Sequence, residues 1–345
     1  MTSRVEKTTT TRSSSRPPPS VAPSSLRPES IRSGAGTPSP SSVFPPSIPL
    51  GEIHSSVTAG DGTRLFVRSK PAESVPVGSE KTVLFCDGIV CDGFIWKYLW
   101  NDLAADGKTS VAHFHYRGHG RSASPADPDC IDIEAHADDV WSVRQQIGVS
   151  PCVLIGHSMG CQVALEAYHR HPENVRALVL ICGTFGKVTK TVRGVPVVDM
   201  ILPKLLAIAD KRPELVRALW SRLPSEMAVK VAMRAGEVDP ERIREEDVLP
   251  YLQHLKHVDF PMFLRMLRAA GEHTAENYLG AIEIPVLIIA GEKDTLTPPY
   301  LSQAMAAALP NAELMMVAHG THAAALEQPA LIGEKIRAFL DAHLA

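Results

Sequence analysis

From Gly51 onward, short apolar runs recur along the chain, separated by stretches of helix length. Six of them fall at 82–86, 109–114, 152–155, 177–182, 286–290 and 313–317; four, 82–86, 152–155, 177–182 and 286–290, are nearly continuous in Val, Leu, Ile, Phe, Ala and Cys and are bounded by Gly, Pro or charged residues. Unbroken apolar runs of this length suit strands covered on both faces, and the intervening segments suit right-handed helical crossovers. Two earlier runs, 53–57 and 65–69, flank the turn Ala59-Gly60-Asp61-Gly62 and read as an opening hairpin. The pattern therefore predicts an α/β fold: a mostly parallel, twisted sheet with helices on both faces.

The alternation lapses between residues 184 and 284, where "VVDMILPKLLAIAD", "PELVRALWSRL" and "PMFLRMLRAAGEHTAENYL" carry helical spacing. So long an insertion between two core strands exceeds a plain crossover. It is expected to form a helical cap over the C-terminal edge of the sheet, where open α/β sheets place their ligands. Residues 51–183 and 285–345 then form the core. Residues 1–50 are rich in Ser, Thr, Pro and Arg, show no apolar face and are expected to form a disordered extension.

Composition narrows the partner. With 44% hydrophobic residues among 345 and a formal net charge of −3, the chain can bury a large core but offers no basic block for nucleic acid. No apolar run reaches the length that stable insertion in a bilayer needs, and the first 50 residues lack the apolar stretch of a secretory signal. Of six cysteines, Cys86, Cys152 and Cys182 fall in or beside strand-like runs, as buried small side chains do. A cytoplasmic enzyme acting on a small molecule is the expectation, with its oligomeric state open.

The chemistry centres on Gly156-His157-Ser158-Met159-Gly160, which follows a predicted strand and opens a predicted helix. In a G-x-S-x-G turn the glycines permit a strained strand-to-helix bend that exposes the serine oxygen. A serine hydroxyl needs a base to accept its proton and an acid to orient that base. Both must come from distant loops.

With "YRGHGRS" at 116–122, "PVLIIAGEKDTLTP" at 285–298 and "HGTHAAALEQP" at 319–329, the chain resembles the α/β-hydrolase superfamily, specifically its cap-bearing esterase and lactonase-like members. The resemblance runs from Gly51 to the C-terminus. It implies the catalytic set Ser158, Asp294 and His322, in that superfamily's chain order. Glu292 is the weaker candidate for the acid and His319 for the base, since His319 occupies a position usually held by glycine. The resemblance also implies an oxyanion hole made by the backbone N–H groups of Ile89 and Met159.

Two departures stand out. Where the superfamily usually has His-Gly, this chain has Asp87-Gly88, within the repeat "CDGIVCDG". Where it usually has Asp-x-Arg-Gly, this chain has His115-Tyr116-Arg117-Gly118. The reciprocal changes suggest an exchanged contact, Asp87 with His115, supporting the oxyanion loop; His157 and His319 are further candidates for a supporting role. The second Cys-Asp-Gly reads as coincidence. A zinc site at His113, His115 and His119 is disfavoured, because no cysteine or carboxylate cluster completes it at ligand spacing. No metal or cofactor is expected.

The elbow serine implies acyl chemistry rather than the aspartate-based reactions of the superfamily. The leading expectation is a serine esterase cleaving a carboxylic ester of a small or medium, largely apolar substrate through an acyl-enzyme. A lactone, a thioester or a carbon–carbon bond beside a carbonyl would suit the same groups, and a ligand-binding member without hydrolysis is the alternative of another class. Met200, Leu202, Leu205, Phe260, Met262, Phe263 and Met266 are candidates for an apolar acyl pocket, with simple packing the more common role of such residues.

Overall fold

The computed structural model describes residues 51–75, 81–105, 107–148, 151–186, 197–220, 222, 238–239, 241–244, 246–247, 249–251, 254 and 258–344. The expected N-terminal extension, at 1–50, lies outside the described residues.

Eight strands form one sheet in the order β1-β2-β4-β3-β5-β6-β7-β8. They are β1 (Ile53–Thr58), β2 (Arg64–Lys70), β3 (Lys81–Cys86), β4 (Thr109–Phe114), β5 (Cys152–His157), β6 (Val175–Ile181), β7 (Val286–Gly291) and β8 (Ala312–Val317). β1 and β2 pair antiparallel, β2 pairs antiparallel with β4, and every other pairing is parallel. All eight lie within two residues of the runs; the central strands β3 to β7 are buried on both faces, whereas the edge strands β1 and β8 are largely exposed, so the expectation that 313–317 is covered on both faces is not met. This is the α/β-hydrolase fold.

Side chains alternate between two cores. Leu84, Leu154, Leu178 and Ile288 face the helices α2 (Ile133–Ile147) and α3 (Met159–Arg170). Val83, Phe85, Val153, Ile155 and Leu287 face α1 (Lys97–Ala104) and the last helix, Pro329–His343. The alternation follows from the two-residue period of a strand, and with both faces dry the reactive groups can gather only at the sheet's end.

Between β6 and β7 the described chain is helical: α4 (Val197–Lys211), α5 (Pro213–Trp220) and α6 (Phe260–Glu272) pack on one another. Leu202, Leu206 and Ala209, at helical spacing on α4, meet Leu264 of α6. The opposite face of α6 enters the main core through Met262, Met266 and Ala270, while Gln162 of α3 donates to the Ala270 carbonyl at 2.9 Å. Helix α6 stops at Glu272 instead of continuing to Leu279, because the next residues leave the helix and Thr274 bridges to Gly186. Of the candidate pocket residues, Leu202, Met262 and Met266 are packed inside, Leu205 is exposed, and Phe260 and Phe263 stack on Trp220. The Met200 side chain lies outside the described residues. Helices α7 (Pro299–Ala308), α8 (Ala324–Glu327) and α9 (Pro329–His343) complete the fold.

Candidate active site

Strand β5 runs directly into Ser158, whose backbone is left-handed (φ 56, ψ −120) and whose N–H donates to the Ile181 carbonyl at 3.0 Å. A non-glycine residue there costs about 1–3 kcal/mol and persists only where its surroundings impose it. The imposing contacts involve the motif's own glycines. A Cβ on Gly156 would lie 2.3 Å from the Gly160 carbonyl oxygen, and one on Gly160 would lie 2.0 Å from that of Cys86. The two glycines thus let the turn close on itself and on β3, leaving Ser158 at the mouth of the bend.

The loops after β7 and β8 bring two more groups to this point. His322 Nε2 lies 3.0 Å from Ser158 Oγ, and His322 Nδ1 lies 2.9 Å from Asp294 Oδ2. Asp294 is buried, and its Oδ1 accepts the N–H groups of Leu296 and Thr297, each at 2.9 Å. Thr297 Oγ1 donates to Oδ2 at 2.8 Å. Burial pushes the Asp294 carboxyl up, but the imidazole of His322 and the Thr297 donors outweigh it and hold the group below its usual range. The carboxylate stays charged and turned toward the histidine.

The remaining candidates separate cleanly. Glu292 is exposed and accepts the His319 N–H at 2.9 Å; it does not reach His322. His319 has φ 61, which explains why glycine is common at such a position, and it serves the turn. His157 is buried, and its Nε2 donates to the His322 carbonyl at 2.9 Å. Burial, then the neighbouring His322, lowers the His157 imidazole to about 4, so it is neutral near pH 7. Glu327, part of the sequence match but given no role by it, accepts both the N–H and the hydroxyl of Thr321, at 2.9 and 2.5 Å, and so fixes the residue before His322.

The loop expected to carry the oxyanion donor Ile89 follows β3. Gly88 presses on the elbow: a Cβ there would lie 3.2 Å from Ser158 Cβ and 3.1 Å from His157 Nδ1. The Cys91 N–H closes the turn onto the Gly88 carbonyl at 3.3 Å, with Val90 held left-handed at φ 60. A β-branched residue in that region is an outlier, so the loop is strained as the elbow is. Among the described residues, neither the Ile89 nor the Met159 N–H donates to a protein acceptor.

Asp87 is not paired with His115. Its partners are His113, with Nε2 2.8 Å from Oδ2, and Trp96, whose Nε1–H donates to Oδ1 at 2.6 Å; all three side chains are buried. The β3–β4 register explains the difference. His113 stands opposite Phe85 in the last paired position, while His115 lies beyond it, where the chain turns into the next loop. That loop takes up the His115 ring: the Arg121 N–H donates to Nδ1 at 2.8 Å, and Phe66 lies 4.7 Å away. Burial, then neighbouring His113, lowers the His115 imidazole well below its usual range, leaving a neutral acceptor. The expected exchanged pair is therefore not formed; Asp87 has a histidine partner instead in His113 on β4, two residues before His115.

The second Cys-Asp-Gly of the repeat is also structural, contrary to the sequence reading. Gly93 has φ 89, and a Cβ on it would lie 2.6 Å from Cε1 of His113, so its bareness makes room for the ring that holds Asp87. Asp92 is buried beside His254 of the helical insert. Among the described residues, no group of three or more His, Cys, Asp or Glu gathers as a metal site.

A strained serine after β5, a buried aspartate after β7 and a histidine after β8 are the arrangement that the hydrolases of this fold carry. Residues 78–329 match the family model described as serine aminopeptidase, S33, and the chain belongs to that family of α/β-hydrolases. The protein is a hydrolase of this class. A protein described as a carbamate hydrolase, RutD, from Klebsiella pneumoniae is 27% identical over 268 residues, covering 75% of this chain and 89% of the relative. An esterase from Exiguobacterium antarcticum superposes with a TM-score of 0.66 at 20% identity, covering 84% of this chain and all of its own. The enol-lactonase from Burkholderia xenovorans gives 0.65 at 18% identity, covering 83% of this chain and 100% of its own. At these identities the two structures speak for the fold.

Proposed function

We propose that the protein hydrolyses carboxylic esters of small or medium, largely apolar substrates through an acyl-enzyme on Ser158. The observation that carries this reading is the unbroken relay from Ser158 Oγ to His322 Nε2 and from His322 Nδ1 to Asp294, at 3.0 and 2.9 Å. In the first half-reaction Ser158 Oγ attacks the ester carbonyl while His322 Nε2 takes its proton. The tetrahedral oxygen is received by the N–H groups of Ile89 and Met159, the latter at the positive N-terminal end of α3. His322 then gives the proton to the departing alkoxide. Water, deprotonated by the same nitrogen, attacks the acyl-enzyme and releases the acid. Asp294 keeps the imidazole in the Nδ1–H tautomer and offsets its positive charge, and the His157 hydrogen bond steadies the loop that carries it.

The helical insert, lying between β6 and β7, would cover this end of the sheet and supply the apolar wall of the acyl pocket. The relative described as a carbamate hydrolase motivates a second substrate class, a carbamate, whose carbonyl would be attacked in the same way. A panel of p-nitrophenyl esters of increasing chain length, simple lactones and a p-nitrophenyl carbamate tests the proposal. Ester turnover abolished by Ser158→Ala supports it. Activity that survives this substitution, or turnover confined to a non-ester member of the panel, overturns it.

A further inference from the structure

Helices α4 and α5 of the insert carry more apolar surface than their packing uses. On α4, Leu202, Leu206 and Ala209 are buried against Leu264 of α6. On α5, Val216 packs into the same cluster and Trp220 stacks on Phe260 of α6. One residue before each of these five positions stands another apolar side chain: Ile201, Leu205 and Ile208 on α4, Leu215 and Leu219 on α5. A step of one residue turns a helix by about 100°, so each helix bears a second apolar ridge beside the buried one. These five side chains are between 38% and 58% exposed. Exposed apolar residues scattered singly are ordinary, whereas residues gathered in this way mark a contact surface.

The ridges are bordered by positive charge. Lys204 stands one turn from both Ile201 and Ile208, Lys211 one turn from Ile208, and Arg212 at the junction of the two helices, three residues before Leu215. All three cations are exposed, and none has a carboxylate partner among the described residues. The acids of these helices whose side chains are described are already paired, Asp210 with Arg265 and Glu214 with Arg217.

This combination favours one occupant. Two copies of the chain meeting through this face would bring like charges together. An anionic lipid surface suits both features, since the apolar ridges enter the acyl boundary while the cations meet the phosphates of the headgroups. No helix among the described residues is long and apolar enough to cross a membrane, so the contact would lie in the plane of the surface.

We propose that the outer faces of α4 and α5 dock the protein on an anionic lipid surface, with the five exposed aliphatic side chains as the apolar contact and Lys204, Lys211 and Arg212 as the headgroup contacts. Docking would bring the enzyme to the phase in which largely apolar esters dissolve. That consequence rests on the ester-hydrolase reading, whereas the binding itself does not.

The test is co-sedimentation of the full chain with vesicles of phosphatidylcholine alone and of phosphatidylcholine and phosphatidylglycerol in equal parts. Binding should be about tenfold or more tighter to the anionic vesicles and should weaken as salt is raised. The pair Ile208→Ser and Leu219→Ser should weaken it about tenfold or more through the apolar contact, and the pair Lys204→Gln and Lys211→Gln should do the same through charge. Both pairs should leave the urea midpoint near that of the parent and kcat on soluble p-nitrophenyl acetate within about twofold. Absent binding, equal binding to the two kinds of vesicle, or binding that survives both pairs of substitutions overturns the proposal. So does a dimer in sedimentation velocity that the serine pair dissociates, which gives the face to a second copy. Vesicle binding by a protein that turns over no ester overturns the ester reading and leaves the docking intact.

Discussion

The two halves of the site are fixed by different means. The relay of Ser158, His322 and Asp294 stands on strand ends: the serine is bent by glycines beside it, and the aspartate is turned by donors two and three residues away. The loop after β3 is closed locally by the Cys91 N–H on the Gly88 carbonyl but leans otherwise on distant groups. Asp87, before its strained turn, is bound by His113 from β4 and Trp96 from the following turn, and Asp92, after it, lies beside His254 of the insert. Short-range construction makes the relay rigid and readable. Long-range construction makes this loop depend on packing elsewhere.

The largest loss is expected on the relay side. Ser158→Ala should lower kcat by about 10⁴-fold or more, since members of such a relay act as a unit. On the loop side, Asp87→Asn keeps the shape but weakens the charged acceptor for His113 and Trp96. It should reduce kcat by about 10–100-fold, short of the loss from removing an oxyanion donor, with KM nearly unchanged. Steady-state kinetics with one short ester rank the two; equal losses would erase the distinction between them.

Gly93→Ala sharpens the same contrast through stability. The new methyl must displace the His113 ring and adopt a positive φ, so we expect a loss of about 2–3 kcal/mol in urea unfolding. A variant as stable as the parent would show that the ring can move freely and that Asp87 is not held as described.

Stability also depends on pH. His157 titrates near 4 in the folded protein against 6.5 for an unperturbed imidazole. Between those values the unfolded chain binds more protons. The contribution is therefore complete above pH 6.5 and is lost as pH falls toward 4, by about 3 kcal/mol in all. Buried His115, His119 and His136 are lowered too and act in the same direction. Unfolding free energy measured from pH 7 to 4.5 should fall, and less steeply in His157→Gln; parallel slopes for the two proteins would remove His157 from the account.

What was legible in the sequence follows the same division. Doubly buried strands are continuous apolar runs, and the elbow and the acid and base loops carry their geometry in neighbouring residues, so Ser158, Asp294 and His322 could be found and brought together. The choice between His319 and His322 was also local, because a left-handed turn residue stands where glycine is usual. The partner of Asp87 was not local. The choice between His113 and His115 depends on the register of β4 against β3 and on where the strand ends, a matter of two residues that motif spacing does not resolve. Gly93 and Asp92 passed for coincidence because their reasons, a ring on β4 and a histidine some 160 residues later, have no signature in the repeat itself.

The proposed reaction stands or falls on Ser158 as the nucleophile, activated by His322. The most direct measurement is covalent labelling with a fluorophosphonate, followed by mass spectrometry of the modified peptide. The account predicts one stoichiometric adduct on Ser158, slowed by orders of magnitude in His322→Ala. An adduct on another residue, or labelling of Ser158 at an unchanged rate without His322, would contradict it.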